Sequence, residues 1–347
     1  MVSEPVLTRP VPPEKPAWKV LYSRSFFPRK GRERSGTELR TELSFRWANF
    51  DWYIPTVYAC SKGLVIDFCI SAKAEAFQAF WDKWTDENGQ ERQYTEEERL
   101  QIALENPLDP QFHAEVLLNG KKLSQRSASG QSYLPPSCRP EAFGDGHVGQ
   151  WLVEHYGLDE SLCWVFRRVC LPWATKRKPS IRSLTLTLRQ DPLTFPGPHV
   201  SVNGPGDAFS FVHPLSAQEH TLTVVEYEQQ EMDAACFGNK NVVYPTHYAA
   251  MTFALQPDLP LASISLQDCA RGDRPRVKRT DPTAPKATHD VVLAAIGGAD
   301  GPTALFAITG SRPHSACSSL TFEKREQIEW RLCFHEKTAE DLTLPLL

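Results

Sequence analysis

Three histidines are spaced so that neighbouring strands would offer them to one metal ion. His213 and His220 flank a turn, Glu226 and Glu228 follow on the next stretch, and His247 opens another. Imidazole nitrogens joined by a carboxylate oxygen are donors for zinc, iron or manganese, so the pattern points to a metal-dependent enzyme on the second half of the chain. The competing reading is that histidines at strand ends simply hydrogen-bond and face water. Around His247, the run Tyr244-Pro245-Thr246-His247-Tyr248 gathers aromatic, hydroxyl and imidazole groups that would wall a polar pocket, or else merely start a strand at Pro245. Arg271, Arg274 and Arg276, continued by Lys278 and Arg279, form a basic segment whose charge density would hold a small anionic ligand, or stay a solvated loop. Neither a Gly-x-Ser-x-Gly elbow nor a phosphate-cradling glycine loop occurs, so catalytic residues are not assigned and no cofactor is implied.

The most distinctive run is Ile296-Gly297-Gly298-Ala299-Asp300-Gly301-Pro302-Thr303-Ala304-Leu305-Phe306. It resembles the motif around an intramembrane aspartate in the β subunit of sodium-pumping carboxylate decarboxylases of the oxaloacetate type. Carried over residue by residue, the resemblance makes Asp300 an acid of an ion path, with Gly301, Pro302 and Thr303 beside it. That family is polytopic, whereas every apolar run here stops within about ten residues, half of what one helical span requires. Read from its own chemistry, the segment is a turn: two short β-forming runs, Val291 to Ile296 and Thr303 to Ile308, flank Gly-Gly-Ala-Asp-Gly-Pro. A hairpin over 290 to 309 is therefore expected.

Composition bounds the remaining classes. The chain has 347 residues, 41% hydrophobic and 23% charged, with a net charge of -4, so it can bury a sizeable core and has no overall positive field to collect nucleic acid. Its beginning is proline-rich and carries charges where a secretory leader needs an apolar stretch, which points to the cytoplasm. Nine cysteines, several in apolar strand-like runs and none in two-residue spacing, read as buried free thiols.

The elements that must position these groups are mostly strands. Helical spacing covers Ala72 to Trp84; Thr95 with Glu98 makes a capping box for a second helix ending before Pro107; His147 to Tyr156 reads as a third, closed by Gly157. Asn119-Gly120 marks a hairpin, and Leu184-Thr185-Leu186-Thr187-Leu188 alternates as a half-buried strand. In the second half, strands are expected over 208–212, 220–228, 242–255, 261–267, 318–323 and 326–335. Short strands at this spacing imply a mainly β chain of two sandwich or jelly-roll-like domains, the first decorated with short helices. The expected division is a proline-rich start over 1–17, a first domain over 18–190, a linker over 191–206 dense in proline and glycine, and a second domain over 207–347. The function expected is binding or assembly, with a small anionic ligand or a protein as partner; the alternatives are the metal-dependent enzyme and a sodium-pump component related through 296–306.

Overall fold

The computed structural model describes residues 14–23, 25–28, 34–86, 93–124, 127–140, 146–237, 241–277 and 313–347. The fold is mainly β, built from antiparallel sheets, and it divides into two compact units: residues 1–192 with 337–347, and residues 193–336. The run Ile296 to Phe306, with Asp300, Gly301, Pro302 and Thr303, and the hairpin expected over 290–309 lie outside the described residues. None of the described helices is long and apolar enough to cross a membrane.

Unit 1 begins with β1 (Thr37–Trp47), β2 (Phe50–Ala59) and β3 (Gly63–Lys73), then α1 (Ala74–Trp84) and α2 (Glu96–Glu105). There follow β4 (Phe112–Leu118), β5 (Lys121–Leu123), β6 (Ser127–Tyr133), α3 (His147–Tyr156), β7 (Leu162–Pro172) and β8 (Leu184–Gln190). Local chemistry explains most boundaries. Ala48 and Asn49 take positive φ, as a two-residue hairpin turn between β1 and β2 demands, and Asn119 and Gly120 do the same between β4 and β5. Thr95 and Glu98 exchange both bonds of a capping box at α2, while Gly157 ends α3 in the left-handed conformation.

Unit 2 holds β9 (Leu193–Val202), β10 (Ala208–Val212), β11 (Glu219–Glu231), β12 (Val242–Val243) and β13 (His247–Gln256). It continues with β14 (Ile264–Asp268), β15 (Arg276–Val277), β16 (His314–Cys317) and β17 (Ile328–Glu336), after which β18 (Leu342–Pro345) returns to unit 1 and pairs with β8. Unit 2 is thus inserted between two strands that pair with each other.

Each unit is a sandwich. In unit 1 the five-stranded sheet β1-β2-β3-β7-β6 faces the four-stranded sheet β18-β8-β4-β5, with Trp52, Ile54, Ile66, Phe68 and Leu171 of the first meeting Val116, Leu184, Leu186 and Leu188 of the second. The outer side of the larger sheet is covered too, by Leu152 and Val153 of α3 and by Phe26 and Val20 of the N-terminal segment. That double cover is why β3 is buried from Gly63 through Ile70 without alternation, while β8, covered on one side, alternates strictly. In unit 2 the sheet β10-β11-β13-β16 packs Leu222, Val224, Met251 and Phe253 against Val202, Leu266, Trp330 and Phe334 of the sheet β14-β17-β9.

Three expectations need correction. Residues 193–202, expected within a linker, form β9: an edge strand tolerates Pro196 and Pro198, and the register shift opposite Arg331/Cys333 absorbs Gly197, where a Cβ would sit 2.6 Å from the Phe334 ring. The last residues, expected in the second domain, belong to unit 1 because Leu342 to Pro345 pair with β8 and Leu346 is buried in its core. The strand expected over 318–323 reduces to one bridge, Thr321 to His247. A chain ending at Glu336 should lose at least about 3 kcal/mol of unit 1 stability, the scale of one buried leucine side chain removed, with a lower melting temperature for unit 1. A melt matching the full chain would contradict the pairing described.

Candidate functional site

The β3 and β7 strands set Asp67 directly opposite Arg168, and on the side of the sheet that α3 covers the two charges meet in full burial. Arg168 Nε and Nη2 donate to the two carboxylate oxygens of Asp67 at 2.7 and 2.6 Å, a bidentate pair. Arg168 Nη1 donates to the Ser25 carbonyl at 2.7 Å, and the guanidinium lies 4.4 Å from the centre of the Phe26 ring. Tyr156, the last residue of α3, donates its hydroxyl to Asp67 at 2.6 Å, and Tyr58 lies behind it with the two phenol oxygens 3.4 Å apart.

The electrostatics follow from burial. Burial and then the Asp67 carboxylate push the Tyr156 hydroxyl well above the usual phenol range, and burial raises Tyr58 as well, so both remain protonated donors. For Arg168 burial works against the charge, but Asp67 outweighs it and the guanidinium stays ionised. Cys69, buried beside Asp67, is held as a thiol by burial and by that carboxylate.

Tyr156 also belongs to the wall of an open cleft of about 590 Å³. Phe45, Tyr53, Leu158 and Leu162 supply its apolar surface, with the rings of Trp52 and Trp164 buried behind it, and Ser44, Asp51, Ser71 and Asp159 its polar groups. The walls are pinned: Trp52 Nε1 donates to the Trp47 carbonyl at 2.9 Å, Trp164 Nε1 donates to the Asp159 carbonyl at 2.8 Å, and Asp159 itself accepts from the amide and hydroxyl of Ser161. Phe45 and Trp52 are stacked with ring planes 10° apart. Of the two rim carboxylates, Asp51 pairs with Arg46 at 3.0 Å. Tyr53, half-buried in the wall, has its hydroxyl raised by burial and then by Glu42.

The residues singled out in the sequence fall elsewhere, in unit 2. His213 and His220 do lie side by side, with ring centres 6.2 Å apart. Each is engaged differently: His213 Nδ1 accepts from the amides of Leu215 and Ser216 while Nε2 faces Glu336 at 3.3 Å, and His220 Nδ1 donates to the Pro257 carbonyl at 2.8 Å. His247 is not with them. Antiparallel pairing of β11 with β13 sets Thr221 against Gln256 and Glu231 against His247, so His247 stands at the opposite end of a ten-residue strand, about 30 Å away at the usual rise per residue. The three-histidine metal site therefore does not form.

The aromatic run and the basic segment are partly brought together. Val243 of β12 pairs with Arg276 of β15, Tyr244 stacks on Phe237 with ring centres 4.5 Å apart, and the Arg276 guanidinium lies 4.3 Å from the centre of the Phe322 ring. His247 exchanges two backbone bonds with Thr321, and Asp273 holds the next residue through the Phe322 amide at 2.7 Å. Arg271 and Arg274 are exposed.

Sequence reasoning missed both the Asp67–Arg168 pair and the cleft. Asp67 follows the apolar run Leu64-Val65-Ile66, and an acid inside an otherwise unbroken buried strand is itself the signal, since such a charge needs a partner. The signal does not name the partner, which lies 101 residues away.

No protein-family model, curated protein or solved structure matches this chain. The network makes a direct prediction. Asp67→Asn leaves Arg168 buried without its counter-ion and should cost about 3–5 kcal/mol, whereas Asp67→Leu with Arg168→Met should cost much less, because both charges are then removed together. Urea unfolding followed by tryptophan fluorescence measures both, and a double variant as unstable as Asp67→Asn would refute the account.

Proposed function

We propose that this chain is a small-molecule-binding protein and that its ligand, neutral or cationic and bearing a ring, seats in the aromatic cleft of unit 1. The observation that carries the reading is the lining: partly exposed aromatic rings at Phe45, Tyr53 and Tyr156, two rim carboxylates, and no lysine, arginine or histidine among the lining residues. A cleft of this size suits a small organic ligand, and pre-positioned rings lose little entropy on binding one. Aromatic faces attract a cation or stack on a ring, and Asp159 adds negative potential at the mouth, where Arg46 offsets Asp51. The cleft contains no nucleophile paired with a base, so binding accounts for it better than catalysis.

A second reading, an anion held by Arg271, Arg274 and Arg276, is favoured by the β12–β15 ribbon, which joins Arg276 to the strand leading into Tyr244. The two readings call for ligands of opposite charge.

A fragment screen by saturation-transfer NMR, using aromatic amines matched with aromatic carboxylates of the same size, tests them. Amines should bind in preference, and Tyr53→Ala should weaken the best of them about tenfold, the scale of one lost aromatic or cation–π contact. Carboxylates binding best, with an affinity that Arg274→Ala lowers and Tyr53→Ala leaves alone, would move the site to the ribbon.

A further inference from the structure

We propose that His199, Cys269 and Glu329 of unit 2 bind a divalent cation of intermediate softness, zinc foremost, with a coordination position left open to solvent or an exogenous ligand. The proposal stands on residues outside the cleft and does not depend on what the cleft holds.

Three adjacent strands place the donors on one face. In the sheet β14-β17-β9, His199 lies opposite Arg331 and Ser201 opposite Glu329, so His199 and Glu329 are diagonal neighbours on the outer side. Cys269 follows the last residue of β14 and takes the place opposite Glu329, where its amide donates to the Glu329 carbonyl at 2.9 Å. The alternate residues Val200, Trp330 and Leu266 point inward to the core, so side-chain alternation fixes the outward direction of the trio.

One imidazole nitrogen, one sulfur and one carboxylate oxygen lie within 4.8 Å of one another. His199 Nδ1 is 2.9 Å from Glu329 Oε1 and 3.9 Å from Cys269 Sγ. In a tetrahedral zinc shell with ordinary bond lengths the nitrogen–oxygen separation is about 3.4 Å and the nitrogen–sulfur separation about 3.6 Å. Opening the nitrogen–oxygen pair by about half an ångström and drawing the sulfur inward, through rotation of exposed His199 and Glu329 and half-buried Cys269, converts the present arrangement into that shell.

The geometry also separates a metal site from a cysteine-histidine-acid catalytic relay. A relay uses both ring nitrogens, one facing the thiol and the other the acid. Here sulfur and carboxylate converge on the same nitrogen, Nδ1, as donors gather round a cation. The donor chemistry selects the ion: thiolate and imidazole disfavour calcium and magnesium, and the mixed set matches zinc sites with three protein ligands and one open position.

The test uses the full chain, stripped with a chelator and titrated with cobalt(II), whose spectrum reports thiolate ligation. We expect one equivalent to give a thiolate-to-cobalt charge-transfer band that zinc abolishes and calcium does not. Cys269→Ser should remove the band, while Cys236→Ser and Cys317→Ser, at the two exposed cysteines, should keep it. His199→Asn and Glu329→Gln should each weaken cobalt binding more than tenfold with thermal melts unchanged. Absence of the band, its persistence in Cys269→Ser, or its loss in either control variant would overturn the site. If Cys269→Ser does not fold, unchanged cobalt affinity in both His199→Asn and Glu329→Gln overturns it instead.

Discussion

A buried ion pair governs unit 1. Two unit charges withdrawn from water are tolerable only when each finds its full set of partners, and Asp67 and Arg168 do: a bidentate contact, a tyrosine hydroxyl, a backbone carbonyl and an aromatic face. The partners come from separate parts of the unit, the carbonyl and the aromatic face from the N-terminal segment, the hydroxyl from the end of α3, the charges from β3 and β7. The pair therefore selects one arrangement of these pieces among the many that hydrophobic contact alone would accept. The cleft inherits that selection through Tyr156, whose ring forms part of the wall while its hydroxyl is spent on Asp67.

Polar groups serve opposite ends in the two units. In unit 1 they turn inward and satisfy one another, leaving the cleft to aromatic surface. In unit 2 the outer face of a three-stranded sheet gathers an imidazole, a thiol and a carboxylate, with one imidazole nitrogen facing both sulfur and carboxylate.

What was legible in the sequence, and what was not, divides by distance along the chain. Thr95 with Glu98, Asn119-Gly120, the stop at Gly157 and the alternation of Leu184 to Leu188 are all local signals, and the structure carries each of them. Strand β9 was obscured because its prolines look like a linker, and only its position at a sheet edge makes them acceptable. The sites were largely illegible. His213 and His220 are neighbours because a tight turn joins their strands, yet adding His247 by proximity in sequence ignores that an antiparallel partner runs away from the turn. Asp67 with Arg168, and His199 with Cys269 and Glu329, meet through register between strands about 60 to 130 residues apart, pairings that no single-sequence period encodes.

The insertion of unit 2 between β8 and β18 sets an order of events during synthesis. Residues 193–336 are all made before the strand that completes the smaller sheet of unit 1. Until then β8 has an unpaired edge with a strictly alternating Leu-Thr-Leu-Thr-Leu face, the kind of surface that recruits foreign strands. Unit 2 can fold as it leaves the ribosome, and because β9 and β17 pair from Leu193 and Glu336, its folding draws residues 193 and 336 together. That closure delivers the following residues close to β8, so that Gln190 can capture the amides of Thr338 and Ala339. The later unit thereby acts as an internal template for the earlier one, converting a closure over more than a hundred residues into a local one.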